Sequence, residues 1–579
     1  MPMPHHEPAG YRVGDLSIDL GTRQVSRDGR VLPLPKLSFD LLMALVRGAP
    51  DVLTADELIA TVWAGRVVNE ETVAKRVELV RESLGDDSRS PRYITLVRGH
   101  GYRLAADVSS LRRAPQLRNA ANSLQPRHSL AVLPLDDLSA DAADGYFAAG
   151  LHDALITDLS KSAALRVISR TSTLSYRRSA RPLTEIAREL GVDFVIEGSV
   201  LRTRDRVRIT AQLVAANDTH LWAESYDGDL HDILRLQSNI AHAVTRAVKV
   251  RLSPEEHLRM TALRSVNTDS YELYLKGKHA LDRMTPEGFE IGLALLHRAT
   301  QIDPTDPLPY SRLALAYNLI GHTPGSSKSS FPRGAAAALQ ALGLDDGIAE
   351  AHLALAEAQL YFHWDWPAAE KSFRQALDIN PSLAAAHAHY AWLHLIHGRV
   401  ERAFAESQLA VALDPKQPLW ICWHGWLHLW LEDFEAAVRD QQAALAIDPN
   451  HPVANFVLGQ SLSALGRHDE ALAASRRAAE LTARWSWGLG QSLAFAGKPD
   501  EARAFAEQLA RSDPPDPWAL AEVYAALGEH DAALGWLEAG YESRRDWMPW
   551  IKTNYFFRPL ADQPRFREVV RRLDLPTET

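Results

Sequence analysis

Tyr93-Ile94-Thr95-Leu96-Val97-Arg98-Gly99-His100-Gly101-Tyr102-Arg103 reads as two short strands closed by a tight Gly-x-Gly turn, with one arginine, Arg98, at the tip. Three amphipathic segments precede it. The first places Phe39, Leu42, Leu45 and Val46 on one face. The second opens at Thr54-Ala55-Asp56-Glu57, a capping box in which threonine and glutamate satisfy each other's free amides. It buries Leu58, Ile59 and Val62, and Trp63 closes it. Further upstream, the alternation across Tyr11 to Leu20 suggests a strand, and Asp28-Gly29 is a hairpin turn signal before Val31 to Leu34.

The third segment decides the reading. Asn69 suits an N-cap, Glu70 and Glu71 suit the positive end of the helix dipole, and Gly85 stops the helix. Val73, Val77, Val80 and Leu84 share one stripe and are expected in the core. The opposite face then carries Thr72, Lys75, Glu78, Leu79 and Glu82, flanked by Arg76 and Arg81. A helix of this width fits the major groove of DNA, where lysine and arginine reach guanine edges or phosphates and leucine meets a thymine methyl. Three helices and a closing hairpin are the parts of a winged helix-turn-helix.

Residues 11 to 104 resemble the OmpR/PhoB-type DNA-binding domain. The resemblance rests on Trp63, the third helix, Leu84-Gly85-Asp86-Asp87 and Val97-Arg98-Gly99-His100-Gly101-Tyr102-Arg103. It implies that Arg98 enters the minor groove and that Tyr102 and Arg81 hold phosphates. Leu96 stands where the family usually has a phosphate-binding threonine, and Pro35 where a threonine usually caps the first helix. Val80 and Glu82 interrupt the usual Leu-Arg-x-Lys run. The expected DNA-contacting set is Thr72, Lys75, Arg76, Leu79, Arg81, Arg98 and Tyr102. Residues 1 to 106 hold 14 Lys plus Arg against 14 Asp plus Glu, so non-specific affinity should be low and strongly salt-dependent. A winged helix used for protein contacts is the alternative.

At 579 residues the chain exceeds one core, and three or four domains are expected. A net charge of −10 argues against wholesale coating of nucleic acid but permits a local reading surface. The single cysteine, Cys422, excludes an internal disulfide framework and fits a reducing compartment. The first ten residues lack a signal-peptide pattern, and no run approaches the roughly 18 apolar residues that span a bilayer. A cytoplasmic protein with no membrane contact is expected.

Residues 107 to 128 lose periodicity and carry Arg112, Arg113, Arg118 and Arg127. They read as a solvated linker, or as a tail adding phosphate contacts. From Ser129 to about residue 265, strands alternate with helices, which implies a mixed sheet covered by helices. Leu130 to Leu135 and Leu165 to Ile168 are strand-like. Val192 to Val200 opens a hairpin turned at Arg204-Asp205, and a last helix spans about Leu230 to Leu252. Through Ala131-Val132-Leu133-Pro134-Leu135 and Val195-Ile196-Glu197-Gly198-Ser199-Val200 this stretch resembles the TolB amino-terminal-like domain. Glu197, Glu224, Asp227 and Asp229 are the acidic residues that a cleft could gather; a solvated rim is the plainer reading.

Asn380-Pro381, Asp414-Pro415 and Asp448-Pro449 recur every 34 residues, the period of tetratricopeptide repeats. Ala369, Ala403, Ala437 and Ala471 keep the same step, as do Ala376, Ala410, Ala444 and Ala478, and Gly425 and Gly459 mark close helix approach. About eight repeats are expected within residues 266 to 545, the second interrupted from Gly321 to Pro332, with residues 546 to 579 as a cap. Such a stack presents a concave surface for a peptide. Tyr390, Trp392, His394, Trp423, His424, Trp426 and His428 are the expected contacts. His424 and His428 share a helical face, compatible with a metal, but no further ligand is evident in the sequence. Packing or peptide contact is the reading, with no metal or cofactor.

No Gly-x-Ser-x-Gly, His-Glu-x-x-His, paired-cysteine or phosphate-loop signature occurs. The fold class expected is multidomain: a winged helix-turn-helix, a mixed α/β domain and an all-α solenoid. The function expected is transcription regulation, without an enzyme activity. The partners are double-stranded DNA, a protein or peptide in the repeat groove, RNA polymerase, and a second copy on adjacent half-sites. A repeat scaffold and an enzyme hidden in the α/β domain are the other classes.

Overall fold

The structure is a computed structural model. It describes residues 10–20, 23–27, 30–63, 68–97, 99–106, 108–111, 128–139, 145–177, 179–250, 252–254, 256–257 and 266–576. The chain forms two compact units, Met1–Ala114 and Pro115–Thr579.

In the first unit, Gly14 adopts φ 58° and divides the alternating run into two strands, β1 (Gly10–Val13) and β2 (Leu16–Asp19), paired antiparallel. One continuous strand was expected; the left-handed glycine folds the run back on itself. Then come β3 (Gln24–Arg27) and β4 (Arg30–Leu32), paired with Arg27 opposite Arg30. Residues 28 and 29, the expected turn, lie outside the described residues. Three helices follow: α1 (Lys36–Gly48), α2 (Ala55–Val62) and α3 (Glu70–Leu84). The wing is β5 (Ile94–Val97) against β6 (Gly101–Leu104). A further strand, β7 (Val108–Leu111), returns to pair with β1. That corrects the expected start of the linker at residue 107. The strand's pairing partner is about a hundred residues away, so its own sequence gives little sign of it.

The second unit opens with a mixed sheet in the order β10-β8-β11-β12-β13, where β8 is His128–Val132, β10 Leu165–Val167, β11 Phe194–Thr203, β12 Arg206–Ala215 and β13 His220–Asp229. The short β9 (Asp136–Asp137) pairs with β11. Alternate residues serve opposite faces. Leu130, Val132 and Ile196 pack under α4 (Tyr146–Ser160) and α6 (Ile233–Ala247), whereas Ala131, Leu133 and Val195 pack against α5 (Leu183–Leu190). The strand β13 was not expected. It is largely exposed and rich in charge, so it lacks the apolar alternation that marks a strand.

Eight helix pairs follow among the described residues, from Thr268–Leu281 to His530–Glu542. Their repeating alanines are buried, Ala369, Ala437 and Ala471 at 0% exposure. A Cβ added at Gly425 would lie 2.3 Å from Gln441 Nε2, and one at Gly459 would lie 2.1 Å from Ser475 Oγ, so both glycines sit at close helix contacts. The expected interruption from Gly321 to Pro332 is narrower than the sequence suggested: a new helix begins at Ser327 and carries Pro332 inside it.

The sheet domain is joined to the repeats. Ser169 N donates to Leu413 O (2.8 Å), and Arg166 Nη1 donates to Ala412 O (3.1 Å). Asp414 Oδ1 accepts from both the amide and the hydroxyl of Ser172, at 3.0 and 2.5 Å. At the equivalent position Asp448 accepts from Asn450 N in its own turn. One repeat turn has thus been diverted from local use to a domain contact.

Candidate nucleic-acid interface

The side chain of Asn69 accepts from Thr72 N (3.1 Å), and Gly85 ends α3 at φ 64°. Val73, Val77, Val80 and Leu84 are buried at 0–1% exposure. The face turned away from them is exposed: Thr72, Lys75, Glu78, Leu79 and Glu82. Leu79 is 39% exposed, an apolar side chain left outside the core. Together these residues form a continuous outward strip along one helix, with a cation and a methyl-bearing side chain one turn apart.

The two flanking arginines are not alike. Arg76 is half-buried, with Nη1 3.4 Å from Ser38 Oγ of α1. Arg81 is turned inward: its Nη2 donates to Ile94 O (2.8 Å), and its Nε lies 3.9 Å from Asp86. Part of the guanidinium expected to hold a phosphate is thus engaged within the domain. With its side chain 15% exposed, Arg81 ties the end of the helix to the root of the wing.

Asp86 is the hub of that tie, a role the sequence reading did not assign. Its carboxylate is buried and accepts from three successive backbone amides, Arg92 (2.6 Å), Tyr93 (3.2 Å) and Ile94 (3.0 Å). It thereby fixes where β5 begins relative to α3. Around it, Arg27 donates to Tyr93 Oη (3.1 Å) and to Leu84 O, and Tyr93 Oη bonds Asp15. The hydrogen bond from Tyr93 holds the Asp15 carboxyl below its ordinary range, helped by Arg92 and Arg27. Burial, and then Asp15, raise the Tyr93 phenol.

The wing is pinned at a second point. Leu53 N donates to Tyr102 O, and Tyr102 N donates to Leu53 O, both at 2.9 Å. Gly101 makes this possible: at φ 131°, an added Cβ would lie 2.0 Å from Leu53 O. Tyr102 is half-buried against the core, opposite the exposed Leu96 on β5. Arg98 lies outside the described residues. The structure therefore brings Thr72, Lys75 and Leu79 onto one exposed face and holds the hairpin of Tyr102 rigidly to the same core.

The expected peptide groove is different. Tyr390, Trp392, His394, His424, Trp426 and His428 are all buried, at 2–7% exposure, and Trp423 is partly buried. Neighbouring repeat helices cover the tyrosine and the histidines, as where the Phe404 ring lies 4.7 Å from that of His428, and the chain's own carboxy-terminal segment covers Trp392 and Trp426. Trp550 lies 5.7 Å from Trp392 ring to ring and donates from Nε1 to Trp392 O (3.2 Å). Trp547 lies 5.0 Å from Trp426. The expectation that these residues line an open groove is corrected: they form the core across which the solenoid closes.

The second unit also holds a cavity of about 780 Å³ between the sheet domain and the first repeats. Asp153, Lys161, Arg170, Lys278, Asp282 and Arg312 line it. Asp282 receives Arg170 (2.8 Å) and Arg312 (2.5 Å), and Lys278 donates to Asp153. Burial pushes the Lys278 ammonium down to about 8. The acidic residues Glu224, Asp227 and Asp229 do not gather into a cleft. They stand along β13, where Asp227 and Asp229 pair with Arg208 (2.8 Å) and Arg206 (3.3 Å) of β12.

Comparison with known proteins agrees with this division. Residues 29–104 match the family "Transcriptional regulatory protein, C terminal". Residues 126–243 match the second domain of HilA/YgeH-like transcriptional regulators, where the sequence had suggested a TolB-like domain. Residues 361–418, 424–483 and 472–517 match tetratricopeptide repeats. Among curated relatives, a Rhizobium meliloti protein named putative adenylate cyclase 3 is 33% identical over 238 residues, 41% of this chain and 40% of that protein. The Salmonella typhimurium transcriptional regulator HilA is 26% identical over 411 residues, 69% of this chain and 70% of that protein. The solved DNA-binding domain of Escherichia coli CadC is 34% identical, covering 18% of this chain and 99% of that one, with a TM-score of 0.17. No helix among the described residues is long and apolar enough to cross a membrane. The chain thus carries an OmpR/PhoB-type DNA-binding domain over residues 29–104, a HilA/YgeH-like second domain over residues 126–243 and tetratricopeptide repeats behind it, a domain content similar to that of transcriptional regulators.

Proposed function

We propose that the first unit reads a promoter by laying the outward face of α3 in the major groove, with Thr72, Lys75 and Leu79 toward the bases and the wing beside them. The observation that carries this is the exposed strip opposite a fully buried valine stripe, on a helix fixed at both ends. Arg76 flanks the strip, and Arg98 and Tyr102 supply the wing's contacts. A second copy on an adjacent half-site and RNA polymerase are the partners that such a reader meets. This role places the protein with the chromosome, in the bacterial cytoplasm.

The second unit serves as the regulatory arm. Its cavity at the junction of sheet domain and repeats has the size of a small-ligand site and lies where two packed bodies meet, a common place for one. The repeats' outer surface is left for a protein partner, since the inner face is filled by the chain itself. We read no catalytic step into the sheet domain. The Rhizobium relative's name describes a protein of which this chain matches 40%.

The test is a chain ending at Ala114, compared with the full chain in a promoter-reporter strain. Equal promoter occupancy with loss of the regulated response supports the division of labour. The same response from both would sink it.

A further inference from the structure

We propose that His424, His428 and Asp440 form a buried zinc site joining the two helices of one repeat. His424 and His428 stand one turn apart on the helix Pro418–Trp430, and Asp440 stands on its partner, Phe434–Ile447. One ligand atom from each lies within 4.8 Å of the other two. A tetrahedral zinc holds nitrogen and oxygen ligands about 3.3 Å apart, so side-chain rotation of about an ångström closes the set.

The surroundings already prepare the ligands. His428 turns Nε2 toward Asp440 Oδ2 (3.8 Å) and Nδ1 toward Asp433 Oδ2 (3.6 Å). His424 has Nδ1 3.1 Å from Ser407 Oγ. Each imidazole thus faces an oxygen with Nδ1, the arrangement by which an outer partner orients a metal-binding histidine and leaves Nε2 for the ion. The histidine side of the site is enclosed and the carboxylate side opens toward the surface. His424 and His428 are 3% and 7% exposed, the Phe404 ring lies 4.7 Å from that of His428, and the Asp440 side chain is 18% exposed.

One atom points to a cation at this place. Asp440 Oδ2 is buried and has no hydrogen-bond partner. A buried carboxylate is costly unless a positive charge meets it, and a divalent ion between the imidazoles would do so. Two imidazoles with one carboxylate suit zinc or a neighbouring first-row divalent ion rather than calcium or magnesium. The sequence showed the two histidines but not Asp440, which follows His428 at no helical spacing.

The test uses the full-length, metal-stripped protein. Zinc is titrated by calorimetry, and cobalt(II) is used as a visible-spectrum reporter. The wild type should bind one zinc per chain and give an intense cobalt(II) band. Asp440→Asn, which keeps the shape, should weaken binding at least about tenfold and abolish the band, and Ser407→Ala should weaken it about 10- to 100-fold. Replacing His5 and His6 by alanine should leave both signals intact. Zinc should also raise the melting temperature of the wild type but not of Asp440→Asn. No zinc binding by the wild type, or equal binding by Asp440→Asn, would overturn the site. His428→Gln should likewise abolish the cobalt(II) band; if it proves unfolded by circular dichroism, Asp440→Asn alone decides.

Discussion

Two helical faces in this chain look functional for similar reasons, and they meet opposite fates. The face of α3 carrying Lys75 and Leu79 stays open, whereas the face carrying Trp392 and Trp426 is sealed by residues of the carboxy-terminal cap. Helical periodicity tells which residues share a face. It tells which face is buried only when the covering partner is local. In the winged helix the core is built from neighbouring helices, so the valine stripe could be assigned to it. In the solenoid, Trp550 reaches Trp392 across 158 residues. Unpaired aromatic and histidine side chains were there an unclaimed core rather than a binding surface.

The sharpest way to break the comparison is to damage each core. Val77→Asp would bury an unpaired carboxylate in a site at 1% exposure, costing several kcal/mol. Calorimetry should lose the transition of the first unit and keep that of the second. Joint loss of both would show that the cores are not separate. Trp550→Ala should cost about 3–5 kcal/mol, since the indole is 2% exposed among aromatic neighbours. An open groove predicts the reverse, a near-neutral change with stronger peptide binding.

A smaller effect is expected at the wing. Gly101→Ala combines φ 131° with a collision at Leu53 O, and it should destabilise the hairpin by about 1–3 kcal/mol. Amide exchange at Tyr102 reports it, and unchanged protection would mean the pin at Leu53 does not hold the wing. The smallest effect is at Asp15. Its folded carboxyl lies below the ordinary value, so its stabilisation is present above the unfolded pKa of about 3.9 and is lost as pH falls through the folded value. Asp15→Asn should flatten the acid limb of stability below about pH 4; an identical limb would remove Asp15 from the tie.

Much of the reader was legible because its signals are local. The capping box at Thr54 and Glu57, the N-cap at Asn69 and the stop at Gly85 each act within a few residues. Sequence pattern could not tell that Arg81 turns inward, because its partners Ile94 and Asp86 are set by how the wing returns to the helix. Nor could it place β7, the Ser172–Asp414 bond or Asp440, whose partners are fixed by tertiary approach. In the repeats, the 34-residue period gave the architecture, but nothing in a period says what lies across the inner face.

The most direct test of the account is DNA selection by the full-length protein, followed by affinity measurement on the recovered site at fixed salt. The account predicts a shared sequence motif. It also predicts that Lys75→Ala weakens binding to it by about 1–3 kcal/mol with no change in melting temperature. Failure to enrich any motif, or equal affinity for wild type and Lys75→Ala, would contradict the claim that the open face of α3 is the reading surface.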